Sequence, residues 1–319
     1  MSGDDAETRP AMRKAAVSFT GGKDSMTVLH LLRAPHVALA ASKAWADAAW
    51  RDDLRQRLEQ VAGLEVVLLV TFAPAGAAKP FKAHPLDLVK QQAQALGLPH
   101  QVVEVSAAPT FLDSYREGMA RLHREQGIQV LLTGDMLDVC SNFMPRAAEG
   151  SGLQLRSPLW DIDRRLLLEM VWAYGMAPVV TCVNRAKFVR PTGDAAGTAG
   201  AGASDAAAST DGGKAEAAKT EQEGEACGGS GVADGGADDG EAAARLLLGH
   251  ELDRELHRTV LQPAVQMYGI DEAGEWGEFH TMVTRSCLFS QPLRLPDKRL
   301  VQREGEYLYF QFEGEAAAK

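Results

Sequence analysis

A chain of 319 residues, 45% of them hydrophobic and 24% charged, is long enough for one large globular domain or two modest ones. Its net charge of −10 argues against a general nucleic-acid binder, which carries a basic face, and no apolar run is long enough to span a membrane. Cys140, Cys182, Cys227 and Cys287 lie far apart with no CxxC pair, so neither a disulfide framework nor a zinc site is indicated; reduced thiols in a cytoplasmic setting are expected.

The acidic opening lacks the apolar stretch of a secretory signal, and residues 1–12 read as a disordered lead. Ala15, Ala16 and Val17 begin a buried strand that breaks into Thr20-Gly21-Gly22-Lys23-Asp24-Ser25. Residues 26–32 then have the spacing of an apolar helix face. Strand, glycine turn and helix N-terminus together form an anion site, because free N–H groups and the helix dipole converge there. Gly21 and Gly22 allow close approach to a phosphate, Thr20 and Ser25 can donate hydroxyl hydrogen bonds, and Lys23 brings a compact positive charge. Asp24 beside a polyphosphate makes sense with Mg²⁺ between them. The spacing fits neither a Walker loop nor the three-glycine dinucleotide fingerprint.

Farther along, residues 38–60 read as one inserted helix with Trp45 and Trp50 as core, and residues 64–72 as a buried strand. A loop containing residues 81–84 and ending on His84 precedes a helix over 85–96, with Pro85 at its first position and Gly97 as its stop. A strand over 101–105, a helix over 110–125 ending at Gly127, and a strand over 128–133 ending at Gly134-Asp135 complete the first half. Alternation at this spacing predicts an α/β fold with a doubly wound parallel sheet and ligands at the carboxyl ends of its strands. Lys23, His84 and Asp135 all follow strand ends, which makes them site candidates. A first domain, carrying the glycine turn, is placed at 13–156 and a smaller α+β C-terminal domain at 157–319.

In that second part residues 166–174 read as a helix closed by Gly175 and 177–183 as a strand. Residues 191–244 are nearly all Ala, Gly, Asp, Glu, Ser and Thr, too few apolar groups to offset chain entropy, and read as a disordered insertion. Residues 245–268 read as a helix, and 279–289 and 306–312 as strands. Trp160, following Pro158, reads as a packing anchor and Cys140 as a buried thiol.

Thr20-Gly21-Gly22-Lys23-Asp24-Ser25 resembles the PP-loop of the N-type ATP pyrophosphatases, with Thr20 in place of the usual Ser. Gln92-Ala93-Gln94-Ala95-Leu96-Gly97-Leu98-Pro99, Gly134-Asp135-Met136, Ser157-Pro158-Leu159-Trp160 and Gly274-Glu275-Trp276-Gly277-Glu278-Phe279-His280-Thr281 follow in order. Taken together they are similar to the diphthine–ammonia ligase family. The resemblance implies a HUP-like fold and an ATP-dependent amidation: a carboxylate is adenylated, pyrophosphate leaves, and ammonia displaces AMP. Diphthine on elongation factor 2 is the implied protein substrate. Thr20, Gly21, Gly22 and Ser25 would hold phosphates, Lys23 would stabilise developing charge, and Asp24 would hold Mg²⁺. His84, Gly134 and Asp135 would contact the nucleotide, with Asp135 able to serve metal or ribose.

Glu275 and Glu278 flank glycines before a strand, where two carboxylates can face one pocket and draw protons from ammonium. His280 and Thr281 alternate along that strand, so one of them is expected to reach the site. Where the diphthine enzymes carry Tyr-Gln-Arg, this chain reads differently, and Asp138, Asn142 and Arg146 are the residues expected to read the acid together with His280. Some tRNA thiolases share Ser-Gly-Gly-Lys-Asp-Ser, yet they need cysteine pairs or an iron–sulfur cluster. A nucleotide-binding sensor without turnover is the remaining alternative.

Overall fold

The computed structural model describes residues 12–45, 47–75, 84–138, 140–190, 236–296 and 299–312. The expected lead, the loop before His84 and most of the insertion lie outside those residues.

The first part runs β1 (Arg13–Ser18), α1 (Lys23–Arg33), α2 (Pro35–Trp45), α3 (Ala48–Val61), β2 (Leu64–Pro74), α4 (Leu86–Leu96), β3 (His100–Val105), α5 (Phe111–Gln126), β4 (Val130–Leu132), α6 (Phe143–Ala148) and β5 (Gln154–Arg156). Its five strands form one all-parallel sheet in the order β3-β2-β1-β4-β5. Ala15 and Val17 of β1 pack into one apolar cluster with α1 and α4, while Ala16 packs into a second cluster with Met119 and Leu122 of α5 and Ala147 of α6. The central strand is therefore buried on both faces, and helices cover both sides, as expected for a doubly wound sheet. From β1 the chain winds outward to β2 and β3, then returns to the other side for β4 and β5. The order reverses between β1 and β4, where such sheets open a crevice beyond their carboxyl ends.

After this sheet come α7 (Arg164–Ala173), β6 (Pro178–Asn184), α8 (Gly236–Leu247), α9 (Arg254–Leu256), α10 (Gln262–Tyr268), β7 (Phe279–Val283), β8 (Arg299–Glu304) and β9 (Tyr307–Phe312). A π turn over His257–Leu261 joins α9 to α10. The strands make an antiparallel sheet ordered β7-β6-β9-β8. The larger apolar cluster passes from α1 and α4 through Leu166, Leu167 and Met170 of α7 to Met282 and Val283 of β7, so both sheets share one core.

Several boundaries differ from expectation for local reasons. Residues 38–60 are two helices rather than one, because the Asp47 carboxylate caps a new start by accepting from the Trp50 N–H at 2.9 Å. Trp50 does pack against the core. Pro85 is the cap of α4 rather than its first turn. The last residues of the expected insertion, from Gly236 on, already belong to α8, where Glu241 pairs with Arg185 at 3.2 Å and Ala244 is fully buried. Helix 245–268 is interrupted between Leu247 and Arg254, and Asp253 caps the restart by accepting from Leu256. The strand expected over 279–289 ends at Val283, and β5 and β8, too short or too polar to stand out, were not anticipated. Trp160 is 44% exposed rather than a packing anchor.

Candidate active site

The carboxyl ends of β1 and β4 meet around the glycine turn. Phe19 leaves the sheet pinned to β2, donating to the Val70 carbonyl at 2.7 Å and accepting from the Thr71 hydroxyl at 2.5 Å. Gly21 has φ +76°, which favours glycine, and a Cβ there would overlap the Gln92 amide. Gly22 caps α1 with extended backbone and no side-chain cap. A Cβ on Gly22 would stand 3.1 Å from the Thr281 carbonyl oxygen and 3.6 Å from the His84 ring. The first turn of α1 thus has no cap from its own N-cap residue; the Thr281 hydroxyl of β7 takes the Lys23 N–H at 3.1 Å, and the remainder of such a helix start can bind an anion. From the other side, Gly134 brings the β4 loop against α1, where a Cβ would lie 3.0 Å from backbone atoms of Asp24 and Ser25. Ser25, buried, turns its hydroxyl back onto the Gly22 carbonyl at 3.2 Å.

Charge is concentrated at the same place. The Lys23 ammonium donates to both carboxylate oxygens of Asp24, at 2.8 and 2.9 Å, and the lysine side chain is only 5% exposed. Glu275 reaches in from the loop before β7, accepting from the Met136 N–H at 3.3 Å. Burial, reinforced by the Asp24 charge, pushes the Glu275 carboxyl up to about 7. Burial likewise raises Asp135, with Asp24 adding to the effect and a hydrogen bond from Thr133 opposing it. His84 and His280 meet edge to face with ring centroids 5.5 Å apart. Burial first, and Lys23 among the neighbouring charges, hold His84 down to about 3 and His280 to about 4, so both imidazoles are neutral at physiological pH.

Thr20, Gly21, Gly22, Lys23, Asp24, Ser25, His84, Gly134, Asp135, Glu275 and His280 are thus gathered around the turn. Both His280 and Thr281 take part, against the expectation of one: β7 presents its edge to the glycine turn, so side chains on either face flank it. Glu278 has a different partner from Glu275. It is buried, and one of its oxygens accepts from the Asp271 N–H at 2.9 Å. Asp138 is exposed and folded onto its own loop, accepting from the Asn142 N–H at 2.6 Å and the Cys140 N–H at 3.3 Å. Arg146 is exposed, with a 3.5 Å contact to the Ser141 carbonyl.

Asn142, by contrast, lines a groove of about 510 Å³ at the carboxyl ends of β4 and β5, together with Asp135, Pro145, Ser157 and Trp160. Arg57 of α3, buried, holds the far wall by donating to the Pro158 and Trp160 carbonyls at 2.8 and 3.0 Å, while the Asp161 N–H donates to the Met136 carbonyl at 2.8 Å. Sequence reasoning had passed over Arg57, and Gln92 had been noted only within a motif. Neither carries a signal of its own, since an Arg or Gln on an amphipathic helix reads as a solvated face.

Among the described residues no three His, Cys, Asp or Glu side chains converge to hold a metal, and no helix is long and apolar enough to cross a membrane. A scan of protein-family models found no match, and a search of curated proteins found none either.

Proposed function

We infer that this chain is an AMP-forming, ATP-dependent ligase of the PP-loop type, which adenylates a carboxylate and transfers ammonia to it. The observation that carries this reading is the glycine turn at the sheet's reversal point, leading into a helix N-terminus whose cap residue is Gly22, with Lys23 and Asp24 at its base. In the proposed reaction an acceptor carboxylate oxygen attacks the α-phosphorus as the bond to the β-phosphate breaks, and pyrophosphate leaves. Ammonia then attacks the acyl carbon, AMP departs with the electron pair of the C–O bond, and the nitrogen loses a proton.

The chain's own groups suit these tasks. Backbone N–H groups of Gly22, Asp24 and Ser25 and the Lys23 ammonium would stabilise the departing pyrophosphate. Glu275, its carboxyl pushed up to about 7, would accept the proton that ammonium or the attacking nitrogen gives up. Neutral His84 and His280 can hydrogen-bond the substrate without adding charge. Asp24 fits Mg²⁺, because this ion commonly takes one or two protein carboxylates and completes its shell with phosphate and water. When bound it would neutralise phosphate charge. Asp135 lines the β4–β5 groove, which would receive the acceptor, and diphthine on elongation factor 2 is the acceptor proposed.

The test is pyrophosphate release from Mg·ATP and ammonium in the presence of elongation factor 2 bearing diphthine, with Asp24→Ala as control. Acceptor-dependent AMP and pyrophosphate, lost in the variant, are expected. ADP and phosphate as products would overturn the adenylation mechanism.

A further inference from the structure

The Gln92 side chain lies fully buried on α4, where its amide nitrogen donates to two carbonyls at once: Gly21 at 2.9 Å and Val283 at 2.8 Å. Two acceptors fix which way the amide points, since only the NH₂ end can serve both. Val283 closes the arrangement by donating its own N–H to the Gly21 carbonyl at 3.0 Å. Glycine turn, α4 and the end of β7 are thereby tied together at one peptide. The other end of the Gln92 amide, its oxygen, is buried without a hydrogen-bond partner and sits where a Gly21 Cβ would be. Leaving an acceptor unsatisfied in the interior is unfavourable, so a purely structural core would be better served here by an apolar side chain of the same size.

We propose that Gln92 is a positioning residue that holds the glycine turn in its anion-binding shape before the nucleotide arrives. The proposal rests on the PP-loop reading above. The turn carries a positive-φ glycine and has no hydroxyl or carboxylate cap of its own, so its conformation is set from outside, and Gln92 is the side chain that reaches it from α4. Preorganising such a loop removes an ordering penalty from ligand binding.

The experiment compares wild type, Gln92→Glu and Gln92→Met in the full chain, by calorimetric binding of Mg·ATP and of inorganic pyrophosphate and by amide hydrogen exchange. Either variant is expected to weaken binding about tenfold, the equivalent of one or two hydrogen bonds. Exchange should quicken at the Val283 N–H and at the Lys23 N–H, which donates to the Thr281 hydroxyl. A glutamic acid regains one donor when protonated, so its binding defect relative to wild type should shrink from about pH 8 to about pH 6, whereas that of Gln92→Met should not. Taking the ratio to wild type at each pH cancels the titration of Glu275 and of the ligand. Should Gln92→Glu fail to fold, Gln92→Met carries the exchange and affinity test alone. Unchanged binding with unchanged exchange overturns the proposal. If wild type binds neither ligand, the nucleotide reading fails, and faster exchange in the variants still upholds the positioning role while unchanged exchange rejects it.

Discussion

The backbone N–H of Lys23 donates to the hydroxyl of Thr281 at 3.1 Å, across 258 residues of chain. The residue that opens the first helix of the parallel sheet is thus fastened to the edge strand of the antiparallel one. Both groups are buried, so the bond is made where water cannot replace it. Thr281→Val keeps the shape and removes the acceptor. It is expected to lower stability by about 1–2 kcal/mol, read as a shift in the denaturant midpoint, and to weaken Mg·ATP binding. Thr281→Ser should restore both.

Gly134 brings the β4 loop close against the start of α1. Its Cβ would press on backbone atoms of Asp24 and Ser25, which cannot swing aside as a side-chain tip can. Gly134→Ala should therefore displace the start of α1, with a stability loss on the order of 1–3 kcal/mol and a larger loss in nucleotide affinity. Equal Mg·ATP affinity in the two proteins would contradict the close packing described.

Glu275 gives a pH dependence with a definite sign. Its folded-state carboxyl titrates near 7 against 4.5 for the free group, so between those values the folded protein holds a proton that the unfolded chain does not. Stability from this group is fully present below about 4.5 and is lost as pH rises through 7. Glu275→Gln removes that loss. Its stability relative to wild type should increase across this window and level off above it, as measured by thermal melts over a pH series. In the ligase assay the same variant should lose the rise in rate centred near pH 7.

Arg57 supports the wall of the β4–β5 groove from within. Its guanidinium pairs with Asp53 at 2.9 Å and feeds the Pro158 and Trp160 carbonyls. Arg57→Lys keeps the charge but not the fork. A loss on the order of 2 kcal/mol is expected, and the exposed Trp160 should become more accessible to a fluorescence quencher. If the groove receives the acceptor, Trp160→Ala should raise the acceptor KM while leaving the KM for ATP unchanged.

Local chemistry made much of the fold readable in the sequence. Apolar runs marked β1, β2 and β6, and Gly97 and Gly127 marked the helix ends they close in left-handed conformation. The glycine turn was legible because its composition has few other uses between a strand and a helix. Shorter or more polar elements, such as β5 and β8, carried no comparable pattern. The break at Asp47 depended on a single cap whose side chain is equally at home in a helix.

By itself, then, the sequence determined that an α/β sheet carries a glycine turn with Lys23 and Asp24 at its helix start, because strand burial, turn geometry and helix capping act over a few neighbouring residues. Only the tertiary structure decided that Glu275 reaches the Met136 N–H while Glu278 turns to Asp271, that both His280 and Thr281 flank the turn, and that Gln92 ties it down. Those partners are set by how β7 docks edge-on against the loop after β1, and such docking depends on the shared apolar core rather than on any short stretch of sequence.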